Sequence, residues 1–96
     1  MNIKGRVVVA KKKEDYLAVK EGTILVAKNT QPDLVMVIDK IAAIVTEIDS
    51  QLSHQAIIAR EFQKPLLMGV KNATKAWKTG DRVVVDFDNK VVKEIK

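Results

Sequence analysis

Residues Ile41-Ala42-Ala43-Ile44-Val45-Thr46 form an unbroken apolar run closed by a threonine, of strand length and β-branched at its end. A strand that faces water on one side alternates apolar and polar residues. This run does not alternate, and it therefore predicts a strand covered on both faces. Such a strand needs a layer of structure above and below it. The chain has material for this in one unit only: 96 residues with 47% hydrophobic content supply a single core, so residues 1–96 are expected to form one domain. A domain of this size buries a little over ~60% of its unfolded surface.

The flanking segments supply the layers. Ile3 to Ala10 is rich in valine, and with Tyr16-Leu17-Ala18-Val19 and Gly22 to Ala27 it predicts an N-terminal group of strands broken by the charged turn at Lys11-Lys12-Lys13. Thr30-Gln31-Pro32-Asp33 has the form of a helix start, with a hydroxyl able to accept a backbone N–H, a proline tolerated in the first turn and a carboxylate at the positive end of the dipole. Leu34, Val35, Val37 and Ile38 would be its buried face. Further on, Ser53 is placed to cap a helix over Gln55 to Phe62, and Pro65 marks its exit. Leu66-Leu67-Met68 reads as a short buried strand. Asn72 reads as the cap of a small helix through Trp77, terminated by Gly80, and Arg82 to Asp86 with Lys90 to Ile95 as a hairpin around Asp88-Asn89. Alternating strands and helices of these lengths predict a layered α/β domain.

Composition removes several classes of function. The absence of cysteine excludes disulfides, thiol catalysis and cysteine-bound metal, and a single histidine leaves no basis for a zinc site, so no metal-binding or cofactor-binding residue is assigned. No apolar run approaches the roughly 20 residues needed to span a bilayer, and no apolar secretory segment opens the chain, so a cytoplasmic protein without a membrane partner is expected. Of the net charge of +5, +4 falls in residues 1–20, where Lys4, Arg6, Lys11, Lys12, Lys13 and Lys20 outnumber Glu14 and Asp15. Four aromatic residues offer little stacking surface for single strands, so nucleic acid is not the expected partner. A basic edge of this kind suits an acidic or nucleotide-binding partner surface equally well.

His54 is the only histidine, and it stands at the start of the Ala-rich helical stretch Ser53-His54-Gln55-Ala56-Ile57-Ile58-Ala59-Arg60-Glu61. Imidazole keeps a neutral, nucleophilic nitrogen near neutral pH, and a helix N-terminus offers free N–H groups to a phosphate. The combination points to a histidine that carries a phosphoryl group. Arg60, about 240° around an ideal helix from His54, is placed for structural or partner contacts rather than for neutralising that group. The Asp33, Asp39, Glu47 and Asp49 carboxylates show no spacing that marks a general acid/base pair.

Thr46, Ser53, His54, Ala56, Ile57, Ala59, Arg60, Glu61 and Pro65, followed by Gly69, Ala73, Thr74, Gly80, Asp81, Val83, Val85 and Asp86, stand in an order that resembles the phosphohistidine, or swivelling (mobile), domain of phosphoenolpyruvate-utilising enzymes such as phosphoenolpyruvate synthase and pyruvate phosphate dikinase. The resemblance covers about residues 20 to 96. It implies the swivelling β/β/α architecture, layered sheets with short helices. It also implies a phosphocarrier that accepts a phosphoryl group on His54, supported by Thr46 and Ser53, and passes it between a nucleotide-binding module and a pyruvate or phosphoenolpyruvate module. ATP and magnesium would then reside on a partner, separate proteins or domains would supply both modules, and the chain would be a phosphotransferase component unable to turn over alone.

The sequence departs from that pattern where Asp49-Ser50 replaces the two glycines before the histidine and where Gln55 replaces the alanine after it. Glycines allow left-handed angles and close approach of a phosphate, whereas Asp49 brings a like charge. The alternative is therefore a non-catalytic interaction or regulatory domain that retains the fold.

Overall fold

The computed structural model describes residues 1–29, 33–49 and 54–95, without the side chains of His54 and Gln55. Six strands, β1 (Asn2–Ala10), β2 (Thr23–Ala27), β3 (Ile41–Thr46), β4 (Leu66–Leu67), β5 (Arg82–Asp86) and β6 (Val91–Glu94), form one sheet in the order β4-β3-β2-β1-β5-β6. Strands β1 to β4 run parallel, whereas β5 pairs antiparallel with both β1 and β6. Three short helices, α1 (Leu34–Val37), α2 (His54–Glu61) and α3 (Ala73–Ala76), pack around it.

β1 serves two partners in succession. Asn2 to Arg6 pair with β5, and Val7 to Ala10 pair with β2. Burial follows the same division: exposed and half-buried residues alternate in the first half, and Val7 to Ala10 are all buried. Side-chain alternation then sorts the parallel strands onto two faces. Val8, Ala10, Leu25, Ala27 and Ile44 join Tyr16, Val19, Leu34, Ile38 and Ala59 in one core, under the helical layer. Val7, Val9, Ile24, Val26, Ala43 and Val45 join Leu67, Ala73, Val83 and Val85 in the other. Because Val83 and Val85 come from β5, the sheet curls so that its antiparallel end helps cover the second face. This is the layered α/β arrangement that the alternating elements predict, and the doubly covered strand at Ile41–Thr46 lies between β2 and β4.

Several local expectations are corrected. Tyr16-Leu17-Ala18-Val19 is not a strand: Lys13–Ala18 is a 3-10 helix. Tyr16 and Val19, three residues apart, are buried while Leu17 is 88% exposed, a helical rather than a two-residue period. The Asp15 carboxylate fixes the turn by accepting the Lys11 and Lys12 N–H groups at 2.7 and 3.0 Å. The helix expected after Thr30 is α1 followed by a 3-10 turn at Ile38–Lys40, and Leu34 and Ile38 are its buried residues while Val35 is exposed. Thr30, Gln31 and Pro32 lie outside the described residues, and Asp33 makes no capping bond. The last strand is shorter than Lys90 to Ile95, because Lys90 takes a left-handed φ of 57° and ends the turn. In that turn the Asp86 carboxylate accepts the N–H groups of Asp88 and Asn89.

Gly5 sits where β1 passes from one partner to the other. A β-carbon there would collide with the Gly22 carbonyl oxygen and lie 2.9 Å from an Ile24 side-chain carbon. Gly5→Ala is expected to lower stability by about 1–3 kcal/mol, the range for overpacking a close-packed site. Urea denaturation followed by circular dichroism checks this, and an unchanged midpoint would show that the two halves of β1 are not held at that distance.

Candidate functional site

The site is assembled at the C-terminal end of β3. Thr46, the last residue of that strand, is fully buried, and its hydroxyl donates to the Ile48 carbonyl at 2.9 Å. The Thr46 carbonyl accepts the Val70 N–H, and Glu47 and Ile48 donate their N–H groups to Ala27 and Lys28. The strand therefore does not simply fray into a loop. Its first residues are tied both to the end of β2 and to the segment after β4, and Thr46 orients the start of the path to His54.

His54 is the first residue of α2, so the expected placement in the first turn of the helix holds for its backbone. The helix runs His54–Glu61, one residue offset from the expected Gln55 to Phe62. Ser50 and Ser53 lie outside the described residues, and so does the direction of the His54 side chain. Ala56 and Ala59, three residues apart, are buried, while Ile57 is 49% exposed and Arg60 is exposed on the last turn. Ala59 joins the core under the helical layer, with Ile58 packed against it. At its far end Gln63 adopts a left-handed φ of 57°, the Lys64 N–H reaches back to the Ala59 carbonyl and Gln63 to Arg60, a Schellman closure directly before Pro65. The C-terminal end of α2 is thus set by backbone geometry.

Glu47 is the residue whose role the sequence did not disclose. Its Oε2 accepts the Thr74 hydroxyl at 2.6 Å and the Thr74 backbone N–H at 3.0 Å. Asn72, expected to cap α3, instead precedes it in the left-handed region at φ 57° and makes no side-chain capping bond. The carboxylate that satisfies the start of α3 comes from 27 residues earlier in the chain. Spacing could not reveal this, because a cap is normally sought next to its helix. The two hydrogen bonds from Thr74, hydroxyl first and then backbone, hold the Glu47 carboxyl below the usual glutamate range, and Lys28 and Lys75 add attraction.

Asp49 is exposed, and it packs on Gly69: a β-carbon at Gly69 would lie 3.2 Å from Asp49 Oδ2. Gly69 takes φ 76°, which a side chain would strain, so the residue that ends β4's segment is a glycine for both backbone and space. Together with Lys71, Trp77 and Lys90, these two residues line an open depression of about 680 Å³.

Residues 19–90 match the model of the family described as PEP-utilising enzyme, mobile domain. The chain belongs to that family. It is 48% identical over 82 residues to the phosphoenolpyruvate synthase of Pyrococcus furiosus, a match covering 85% of this chain and 10% of the synthase. It thus spans about a tenth of the length of that relative. Among solved structures, an NMR structure of Enzyme I is 28% identical with a TM-score of 0.63, over 78% of this chain and 31% of that one. The holo form of Thermococcus kodakaraensis aconitase X is 23% identical with a TM-score of 0.70, over 100% of this chain and 92% of that one, and it shows a shared fold alone. The mobile-domain architecture expected from Thr46 to Asp86 is therefore the fold of this protein. Among the described residues no helix is long and apolar enough to cross a membrane.

The Glu47 tie has a pH signature. A carboxyl whose folded pKa lies below its unfolded value, about 4.3 for glutamate, contributes stability that is present above that value and is lost as pH falls through the folded pKa. Glu47→Gln is expected to be less stable than the native chain at pH 7, with the difference shrinking as pH falls below about 4. Thermal melts of both proteins across pH 3 to 7 read this directly, and a gap that stays constant across the range would show that the charge of Glu47 has no part in it.

Proposed function

We propose that this domain is a phosphoryl carrier, with His54 as acceptor, serving a nucleotide-binding module on one side and a pyruvate- or phosphoenolpyruvate-binding module on the other. The observation that carries the reading is the position of His54. In a chain of the mobile-domain family it opens α2, beyond a β3 terminus fixed by Thr46 and Glu47. On loading, an imidazole nitrogen lone pair attacks phosphorus, the P–N bond forms as the P–O bond to the leaving oxygen breaks, and that oxygen departs with the bonding pair. On delivery, an acceptor oxygen attacks phosphorus, the new P–O bond forms as the P–N bond breaks, and the pair returns to the ring nitrogen. The reaction asks the carrier for position and charge stabilisation and little else. The phosphorylated ring brings about two negative charges to the N-terminus of an eight-residue helix, where the dipole stabilises them by ~0.3–1 kcal/mol. Thr46 supports the site by holding the loop root, and Ser53, directly before His54, is the other phosphate-supporting residue of this reading. ATP and magnesium belong to the partner module, and the system is cytoplasmic.

The test is incubation of the chain with a nucleotide-binding module of the family and ATP labelled at its β- and γ-phosphates. Acid-labile, alkali-stable label is expected on the native chain and none above background on His54→Ala. Equal labelling of the two would remove His54 as acceptor. Asp49-Ser50 favours a second reading, a retained fold without transfer, and the double change Asp49→Gly with Ser50→Gly separates them. Strong labelling of the unaltered chain defeats the silent-domain reading, and label that appears only after the double change supports it.

A further inference from the structure

Beyond the histidine, a group of lysines remains that the phosphoryl reading does not use. Lys11 and Lys12 follow β1, Lys28 follows β2, and Lys75 and Lys78 lie in and just after α3. All five are exposed. They line two depressions of about 380 and 690 Å³ that share Lys11, Thr74 and Lys75 and are therefore continuous. Among the described residues none of the five ammonium groups is within ion-pair distance of a carboxylate. The acids beside them are already engaged. Asp15 accepts the Lys11 and Lys12 N–H groups, and Glu47 accepts two bonds from Thr74. Both carboxyls are held below their ordinary range by these hydrogen bonds first, and Lys11 and Lys12 attract Asp15, and Lys28 and Lys75 attract Glu47, without reaching ion-pair distance.

The patch adjoins the loop root after β3, from which the chain runs on to α2. Glu47 joins the loop root after β3 to Thr74, and Lys75 is the next residue. We propose that this lysine surface is the docking face for a partner module whose contact surface is rich in carboxylates, and that it sets the rate at which that module is captured beside His54. The inference rests on the carrier reading for its partner and on the side chains for its chemistry.

Three observations select an acidic protein surface over other anions. The depressions are open, and their cations stand in solvent rather than buried around a pocket, so they offer no enclosed cradle for a small phosphate. All five residues are lysine. Arginine would give forked, bidentate grip, whereas solvated point charges on flexible stems attract at long range and release readily, as a carrier that visits two stations requires. Trp77 is the only aromatic side chain lining either depression, which leaves little stacking surface for a nucleic-acid strand.

The experiment measures binding of the unphosphorylated chain, without nucleotide, to each of the two family modules by isothermal titration. At least one is expected to bind, with affinity falling roughly tenfold between about 50 and about 300 mM salt. Lys28→Glu with Lys75→Glu is expected to weaken that complex roughly tenfold and to flatten its salt dependence. Lys4→Glu with Lys93→Glu makes the same change of net charge on β1 and β6 and is expected to leave it unaltered. Circular dichroism verifies that both variants fold, as reversal of exposed side chains predicts. The proposal is overturned if neither module binds at low salt, if binding ignores salt, or if the two double reversals weaken it equally. It also fails if single-stranded oligonucleotide or inorganic triphosphate binds through the same lysines more tightly than either module. Labelling of His54 is scored separately: docking without label sinks the carrier reading alone, and label without lysine-dependent docking sinks this one alone.

Discussion

Everything in the fold depends on the pairing of β1 with two neighbours along its length. Its first half is the antiparallel partner of β5, and its second half is the parallel partner of β2. One continuous backbone therefore joins a hairpin to a parallel sheet, and the joint tolerates no side chain at Gly5. The consequence reaches both cores. Val7 and Val9 bring the second core together with Val83 and Val85 from β5, while Val8 and Ala10 face Tyr16 and Leu34 on the other side. Each core needs β1 in register, so a slip by one residue would exchange the two faces and leave each layer packed against the wrong side chains.

The same logic places chemistry at the ends of the parallel strands. Their hydrogen-bonded interiors are apolar and covered, and polar residues appear where the strands stop. Lys11 and Lys12 follow β1, Lys28 and Asn29 follow β2, and Glu47 follows β3. Crossing from strand to loop there does not cost rigidity, because Thr46 and Glu47 anchor the loop root to its neighbours through side-chain bonds. A buried hydroxyl and a partly buried carboxylate each make only modest net contributions to stability, on the order of 1 kcal/mol per bond. Their value here is directional: they fix where the chain leaves the sheet on its way to α2.

Legibility in the sequence followed the range of the interactions. The apolar run at Ile41–Thr46 announced a strand covered on both sides because burial on two faces is written into consecutive residues. The ordered residues from Thr46 to Asp86 announced the mobile-domain fold and the helix that His54 opens. Tyr16 to Val19 misled because valine and tyrosine favour strands, yet the spacing of the two buried residues and the Asp15 cap decide for a 3-10 turn. The start of α3 misled for a different reason, since the local candidate Asn72 was in view and the acceptor that acts, Glu47, is remote. The lysine surface was half legible. Lys11 and Lys12 stand together in sequence, but Lys28, Lys75 and Lys78 reach them only through the parallel order of β1 and β2 and the placement of α3.

Asp49 brings these threads to the question of transfer. Its carboxylate is exposed, so its repulsion of a phosphoryl group is limited by water and salt. Two unit charges 4 Å apart in water interact by about 1 kcal/mol, so a doubly charged phosphate in contact with Asp49 would meet a repulsion of about 2 kcal/mol. Beyond a Debye length of about 8 Å the effect is screened. The helix terminus offsets ~0.3–1 kcal/mol of that. A carrier is not served by maximal stabilisation, however, because each unit of binding energy gained by the phosphohistidine must be given back when the group moves on. On the proposed function, a carboxylate in place of glycine would, at contact distance, lower the occupancy of the phosphorylated state and raise its tendency to pass the group forward. That cost would fall on loading, the step at which a docking surface for the donor module would contribute most.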